Sequence, residues 1–166
     1  MTTSSNLSRN EASLKAQQQL SQNGLEFIKN HEGPLHLKPY DANPPHGDMT
    51  IGYGHHIQTR ENFSKGITKA QALAILQKDV QTAVGAVNGS LRTSVSQNQF
   101  DAMVSLAYNI GGTRFANSTL ISDVNNGRGV PAQDFTRHDT GGGVFMQGLL
   151  NRREDEYGLF TEGGGP

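Results

Sequence analysis

Gly33-Pro34 marks a point where one repeating pattern has to stop and another has to start. Before it, Leu25, Phe27 and Ile28 give the apolar face of a short helix, and Ser21 is placed to cap that helix through its hydroxyl. Pro34 has no N–H to donate, cannot continue a helix, and biases the residue before it away from the right-handed helical region. After it the period shortens. LHLKPY and MTIGY alternate as strands do, and they are separated by DANPPHGD, a stretch rich in Pro, Gly and Asp. The sequence therefore predicts a small antiparallel lobe over about 34–64.

From Thr68 onward the pattern is helical. Thr68 with Gln71 makes a capping box, followed by Leu73, Leu76, Val80, Val84 and Val87 at helical spacing. One helix over 68–88 would be about 30 Å long and would join the two lobes. Ser96 with Gln99 is a second capping box; Phe100, Val104 and Ala107 share a face, and Gly111-Gly112 stops the helix. Ser118 to Asn126 predicts a further helix, Pro131 suits the first turn of a short one, and Val144 to Phe160 predicts the last. The fold class expected is α+β, with a larger helical lobe over about 68–162 and a cleft between the lobes.

Composition removes several classes of function. The chain has 166 residues, enough for one domain with a real core. Its formal net charge of -1 gives neither the basic footprint of a nucleic-acid binder nor a polybasic membrane anchor. There is no Cys, which excludes disulfides and thiolate metal sites. No apolar run approaches the roughly 18 residues of a membrane span. Residues 1–20 are polar and lack the basic start and apolar run of a signal peptide, so they read as a tail or linker ahead of a domain at 21–166.

The chemistry-bearing residues crowd into HEGPLHLKPYDANPPHGDMTIGYGHH, His31 to His56. His31, Glu32 and His36 approach the zinc pattern H-E-x-x-H, but the histidines are five apart and Gly33-Pro34 breaks the helix that would align them. No metal site is expected. GYGHH is not the dinucleotide-binding glycine pattern. A pair of carboxylates fits better. Glu32 sits at a helix C-terminus, whose partial negative charge disfavours ionisation and tilts it toward the acid role. Asp41, nine residues on at the lip of a wet turn, would stay ionised, and the Thr50 hydroxyl on the facing strand could hold a water.

FIKNHEG, PYD and TIGYGHH, in that order, resemble the phage-type lysozymes, the endolysins of glycoside hydrolase family 24. NQFDAMVSLAYNIG resembles that family's central helix, and GLLNRREDEYGLF its C-terminal helix with paired arginines. The resemblance covers roughly residues 21–162. One departure concerns the turn: eight residues, ANPPHGDM, separate Asp41 from Thr50, more than the family usually has. Asp48 is thereby a rival to Asp41, which keeps the nine-residue step from Glu32.

The resemblance implies a muramidase that cleaves the β-1,4 bond between N-acetylmuramic acid and N-acetylglucosamine in peptidoglycan, with inversion. Glu32 would be the general acid, Asp41 would activate water or stabilise the oxocarbenium ion, and Thr50 would place the water. His55 would orient Asp41, and Arg152, with Arg153 as alternate, would pair with Glu32. No cofactor is implied. The expected partners are glycan strands and, for a toxin domain, an immunity protein; a monomer without nucleic acid or a membrane anchor is expected. The chain would be made in the cytoplasm and act in the periplasm after holin release or delivery by a secretion machine. The competing classes are a non-catalytic peptidoglycan-binding module and a lytic transglycosylase.

Overall fold

The computed structural model describes residues 17–162, so most of the expected polar segment 1–20 lies outside the described residues. Its end is tied down: the Asn88 side chain accepts from the Gln18 backbone N–H and donates to the Gln18 carbonyl, both at 2.9 Å. The described chain forms two compact units. One is Leu25–Gln81, and the other combines the residues up to Gly24 with those from Thr82 onward.

In the first unit, strands β1 (His36–Asp41), β2 (Met49–Gly52) and β3 (His55–His56) form an antiparallel sheet in the order β1-β2-β3. Tyr40 faces Thr50 and Asp41 faces Met49, with a register irregularity between His36 and Tyr40. Pro39 is tolerated because β1 is an edge strand and its missing N–H removes no ladder bond toward the sheet. Helix α1 (Gln22–His31) supplies buried Leu25 and Ile28, and α2 (Lys69–Asp79) supplies Ala72 and Leu76, with Ile51 completing the apolar centre. Ser21 caps α1 by accepting from the Gly24 N–H at 3.0 Å, and Thr68 with Gln71 forms the expected capping box on α2.

The single helix expected over 68–88 is instead two, α2 and α3 (Gln81–Ser90). Val80 separates them, with its backbone still right-handed at φ -69 and ψ -16 and its N–H still bonded to the Leu76 carbonyl at 3.0 Å. The side chain of Val80 is buried, so the break between the two helices falls at a held apolar residue and not at a Gly or Pro.

The second unit is built around α4 (Gln97–Ile110), capped as expected by Ser96 with Gln99 and ended at Gly111, whose φ is 92. Its burial goes beyond one face, because every residue from Phe100 to Ala107 is buried. Helices α5 (Gly112–Ala116), α6 (Thr119–Asn125), α7 (Gln133–Thr136) and α8 (Gln147–Thr161) follow. Phe135 packs its ring on Phe160 at 5.4 Å and on Tyr157 at 6.0 Å. The last helix begins later than the sequence predicts. Val144 and Phe145 form strand β5, paired with β4 (Thr140–Gly141) across the Gly142-Gly143 turn. Both glycines have positive φ, a conformation that closes a hairpin and cannot enter a helix.

The polar groups on α4 have internal partners. The Asp101 carboxylate accepts from the Ser21 N–H at 3.1 Å, from the Ser21 hydroxyl and from the Gln97 amide at 2.9 Å. A Cβ on Gly24 would lie 2.6 Å from Asp101 Cγ, so only glycine fits at that point of α1. The Ser105 hydroxyl donates to Glu156 Oε1 at 2.6 Å, and Arg152 and Arg153 bind the same carboxylate. Glu156 and Arg153 are wholly buried, so removing that charge would take a shared carboxylate away from two buried guanidinium groups. Glu156→Gln is expected to lower the unfolding free energy by about 3–5 kcal/mol in urea titration. Arg128→Ala, which breaks the exposed pair with Asp123, is expected to cost no more than about 1 kcal/mol. Equal losses would show that Glu156 does not hold α8 to α4.

Candidate active site

Glu32, Asp41, Thr50 and His55 all belong to the unit Leu25–Gln81. Glu32 follows the last residue of α1, with its N–H on the Lys29 carbonyl at 3.2 Å, and Gly33 turns the chain at φ 85. Its side chain is half-buried beside Gly54, where an added Cβ would lie 3.6 Å from Glu32 Oε2. Gly54 has φ 90, so the β2–β3 turn needs glycine at that point.

Asp41 ends β1, and its carboxylate is held by the loop that follows. Oδ1 accepts from the backbone N–H groups of Asn43 and Asp48, and Oδ2 from that of Gly47, each at 3.0 Å. Partial burial of the carboxyl works to raise its pKa, but the three N–H groups outweigh it and hold the pKa below the usual aspartate value. Asp41 is therefore a firmly ionised group. Thr50 lies one step away in register, opposite Tyr40, and is buried. Its hydroxyl donates to the Asp48 carbonyl at 3.0 Å. With the hydrogen committed there, the oxygen is left to accept from a further donor.

Asp48 takes part through its main chain. Its N–H binds Asp41 and its C=O binds Thr50, so one residue fixes both groups. Its own carboxylate is exposed and lies 3.9 Å from His56 Nδ1.

His55 is placed differently from the expectation. Nδ1 meets Asp79 Oδ2 at 2.7 Å and Nε2 meets Glu61 Oε2 at 2.8 Å, so both ring nitrogens are occupied and neither reaches Asp41. Burial alone would lower the His55 pKa; the two carboxylates outweigh it and raise it. Glu61 also accepts from the Gln58 N–H at 2.9 Å, and this bond together with His55 lowers its pKa. His55 thus ties β3 to α2 and to the 58–61 turn. Glu61 and Asp79 were not singled out from the sequence, because nothing local marks partners six and 24 residues away.

Arg152 and Arg153 belong to the other unit, on α8. Arg152 Nε donates to Glu156 Oε1 at 3.1 Å, and its Nη2 to the Ser105 hydroxyl at 3.3 Å. Arg153 Nη1 donates to Asn109 Oδ1 at 2.9 Å. Among the described residues no group of three or more His, Asp or Glu side chains is arranged to hold a metal ion.

The phage lysozyme family matches residues 29–156. An endolysin of Bacillus phage PZA is 46% identical over 149 residues, which cover 87% of this chain and 56% of that protein. The chain thus spans about half the length of that relative. An endolysin of Acyrthosiphon pisum secondary endosymbiont phage 1 is 35% identical over 146 residues, covering 85% of this chain and 97% of the other. Among solved structures, the endolysin from Escherichia coli O157:H7 phage FAHEc1 superposes with TM-score 0.78 at 38% identity, over 90% of this chain and 97% of that one. The muramidase domain of SpmX from Asticaccaulis excentricus gives TM-score 0.74 at 36% identity, over 86% and 97%. Matched from within α1 to within α8, and sharing an α+β fold with both solved relatives, the chain belongs to the phage lysozyme family.

Proposed function

We propose that the chain is a peptidoglycan muramidase that hydrolyses the β-1,4 bond between N-acetylmuramic acid and N-acetylglucosamine. The observation that carries this reading is the joint anchoring of Asp41 and Thr50 on the main chain of Asp48, in the same unit as Glu32 at the end of α1. The family relationship supplies the substrate class: several relatives are endolysins, and a solved neighbour is a muramidase domain.

Glu32 donates the proton to the leaving oxygen as the glycosidic bond breaks. A water sits on the opposite face of the sugar, gives one hydrogen to the Thr50 oxygen and the other to Asp41, and directs a lone pair at the anomeric carbon. An inverting outcome requires the two carboxyl groups to be about 6.5–9.5 Å apart with that water between them. Three N–H groups make Asp41 a weak base, so its larger contribution is the fixed negative charge that stabilises the oxocarbenium-like transition state, and the proton of the attacking water passes through Asp41 to solvent as the new C–O bond forms. The enzyme meets its substrate at the cell wall. No helix among the described residues is long and apolar enough to cross a membrane.

Glu32→Gln keeps the shape and removes the donor. Hydrolysis of purified sacculi is expected to fall by about 10²–10⁴-fold with the fold unchanged by circular dichroism. A folded variant that retained a tenth of the activity would remove Glu32 from the acid role. The products should be reducing sugars; anhydro products, lighter by one water, would identify a transglycosylase instead.

Asp41→Asn is expected to abolish most turnover, whereas Asp48→Asn, which leaves the main-chain donors and acceptor in place, should change it by less than about threefold. The reverse ranking would transfer the second carboxylate to Asp48.

Because Asp41 is held below the ordinary aspartate pKa of about 3.9, it stays ionised down to lower pH. The acid limb of kcat/KM is therefore expected to begin below that value, with activity lost as pH falls through the Asp41 pKa. An acid limb beginning above about pH 5 would contradict the role assigned to Asp41.

A further inference from the structure

A cavity of about 500 Å³ lies in the unit formed from Thr82 onward, walled by the end of α3, the 91–92 connection, and the segment from Ala116 to Asn126. Its size is that of a small-ligand site, but its walls are not those of an apolar pocket. Ala116 and Ile121 are the only sizeable apolar contributors, and no aromatic ring lines it.

The polar groups are oriented. Asn117 donates its amide nitrogen to the Thr113 carbonyl at 2.9 Å, and Asn126 donates its own to the Ser122 carbonyl at 2.6 Å. Each amide therefore offers Oδ1 as an acceptor. Asn125 staples the wall together: Oδ1 accepts from the Arg92 N–H and Nδ2 donates to the Ser90 carbonyl, both at 2.8 Å. Arg92 is exposed at the rim, and its guanidinium makes no ion pair among the described residues. The neighbouring Asp123 is paired with Arg128 at 2.9 Å, so it does not cancel that charge.

We infer that this cavity is a second binding site for a carboxylate-bearing amino-sugar strand, distinct from the residues around Glu32 and Asp41. Fixed acceptors meet sugar hydroxyl and N-acetyl N–H donors, and the planar fork of Arg92 takes a carboxylate such as the lactyl group of muramic acid. With no aromatic platform the site relies on hydrogen bonds exchanged with water, so each contact is weak and its value lies in keeping an enzyme on a long polymer. The inference rests on the muramidase reading for the identity of the strand.

The test is an NMR titration of the full chain carrying Glu32→Gln, with a disaccharide of N-acetylglucosamine and N-acetylmuramic acid bearing a free lactyl carboxylate. Neutral chitobiose is the second arm. The amide signals of Ser90, Arg92, Asn117 and Ser122 are expected to move with the muramic-acid disaccharide and to respond at least tenfold more weakly to chitobiose. Arg92→Ala should weaken the response at least tenfold. Gly89→Leu should do the same by filling the cavity; a Cβ at Gly89 meets nothing within 4 Å, and replacing a helical glycine does not threaten folding. Shifts confined to residues 32–56, equal responses to both sugars, or responses untouched by either variant would overturn the second site. Binding is read without turnover, so a chain that failed to hydrolyse sacculi would refute the muramidase reading while leaving this titration to decide the cavity.

Discussion

A helix enclosed on every side must find an internal partner for each polar group it carries, and α4 carries two such side chains within its buried stretch. Asp101 meets that demand by capturing Ser21, which places the start of α1 and leaves room only for glycine at position 24. Ser105 meets it through Glu156, which in turn recruits the two arginines of α8. Both ends of the described chain are thereby referred to one helix near its middle. The paired arginines, which in sequence read as partners of Glu32, are also part of the polar lining of this core.

The same chemistry works at smaller scale around Asp41. There the carboxylate is the acceptor about which seven loop residues fold, and the donors are main-chain N–H groups. One bond farther on, the Asp48 carbonyl sets the Thr50 hydroxyl. The group that would stabilise positive charge in the reaction is thus also the group that shapes its own loop, so protonating it would disturb geometry as well as charge.

Features set by neighbours in sequence were legible before any coordinates. Ser21, Thr68 and Ser96 each accept the expected N–H in the first turn of their helices. Gly33-Pro34 separates helix from sheet, and Tyr40 faces Thr50 as strands flanking a Pro- and Gly-rich turn should. What was not legible depended on distance along the chain. The break between α2 and α3 at Val80 falls at a buried apolar residue, with no Gly or Pro to announce it. The hairpin at Thr140 to Phe145 carries apolar residues whose spacing also suits a helix; it was the two glycines between its strands that decided the outcome. His55 has its ring nitrogens on Glu61 and Asp79, a choice fixed by the packing of α2 and invisible in the TIGYGHH motif.

The Asp41 loop has a bearing on how such a chain can drift over generations. Its anchoring donors at Asn43, Gly47 and Asp48 belong to the backbone, which every residue but proline provides. Selection acting on the carboxylate therefore sees the path of the loop more than the side chains along it. Residues 44–46 contribute none of these donors, and they form a stretch where length and composition can change while the carboxylate keeps its seat. A change of length there is then a neutral elaboration, and a place where differences in wall chemistry between hosts could be met without touching the reacting groups.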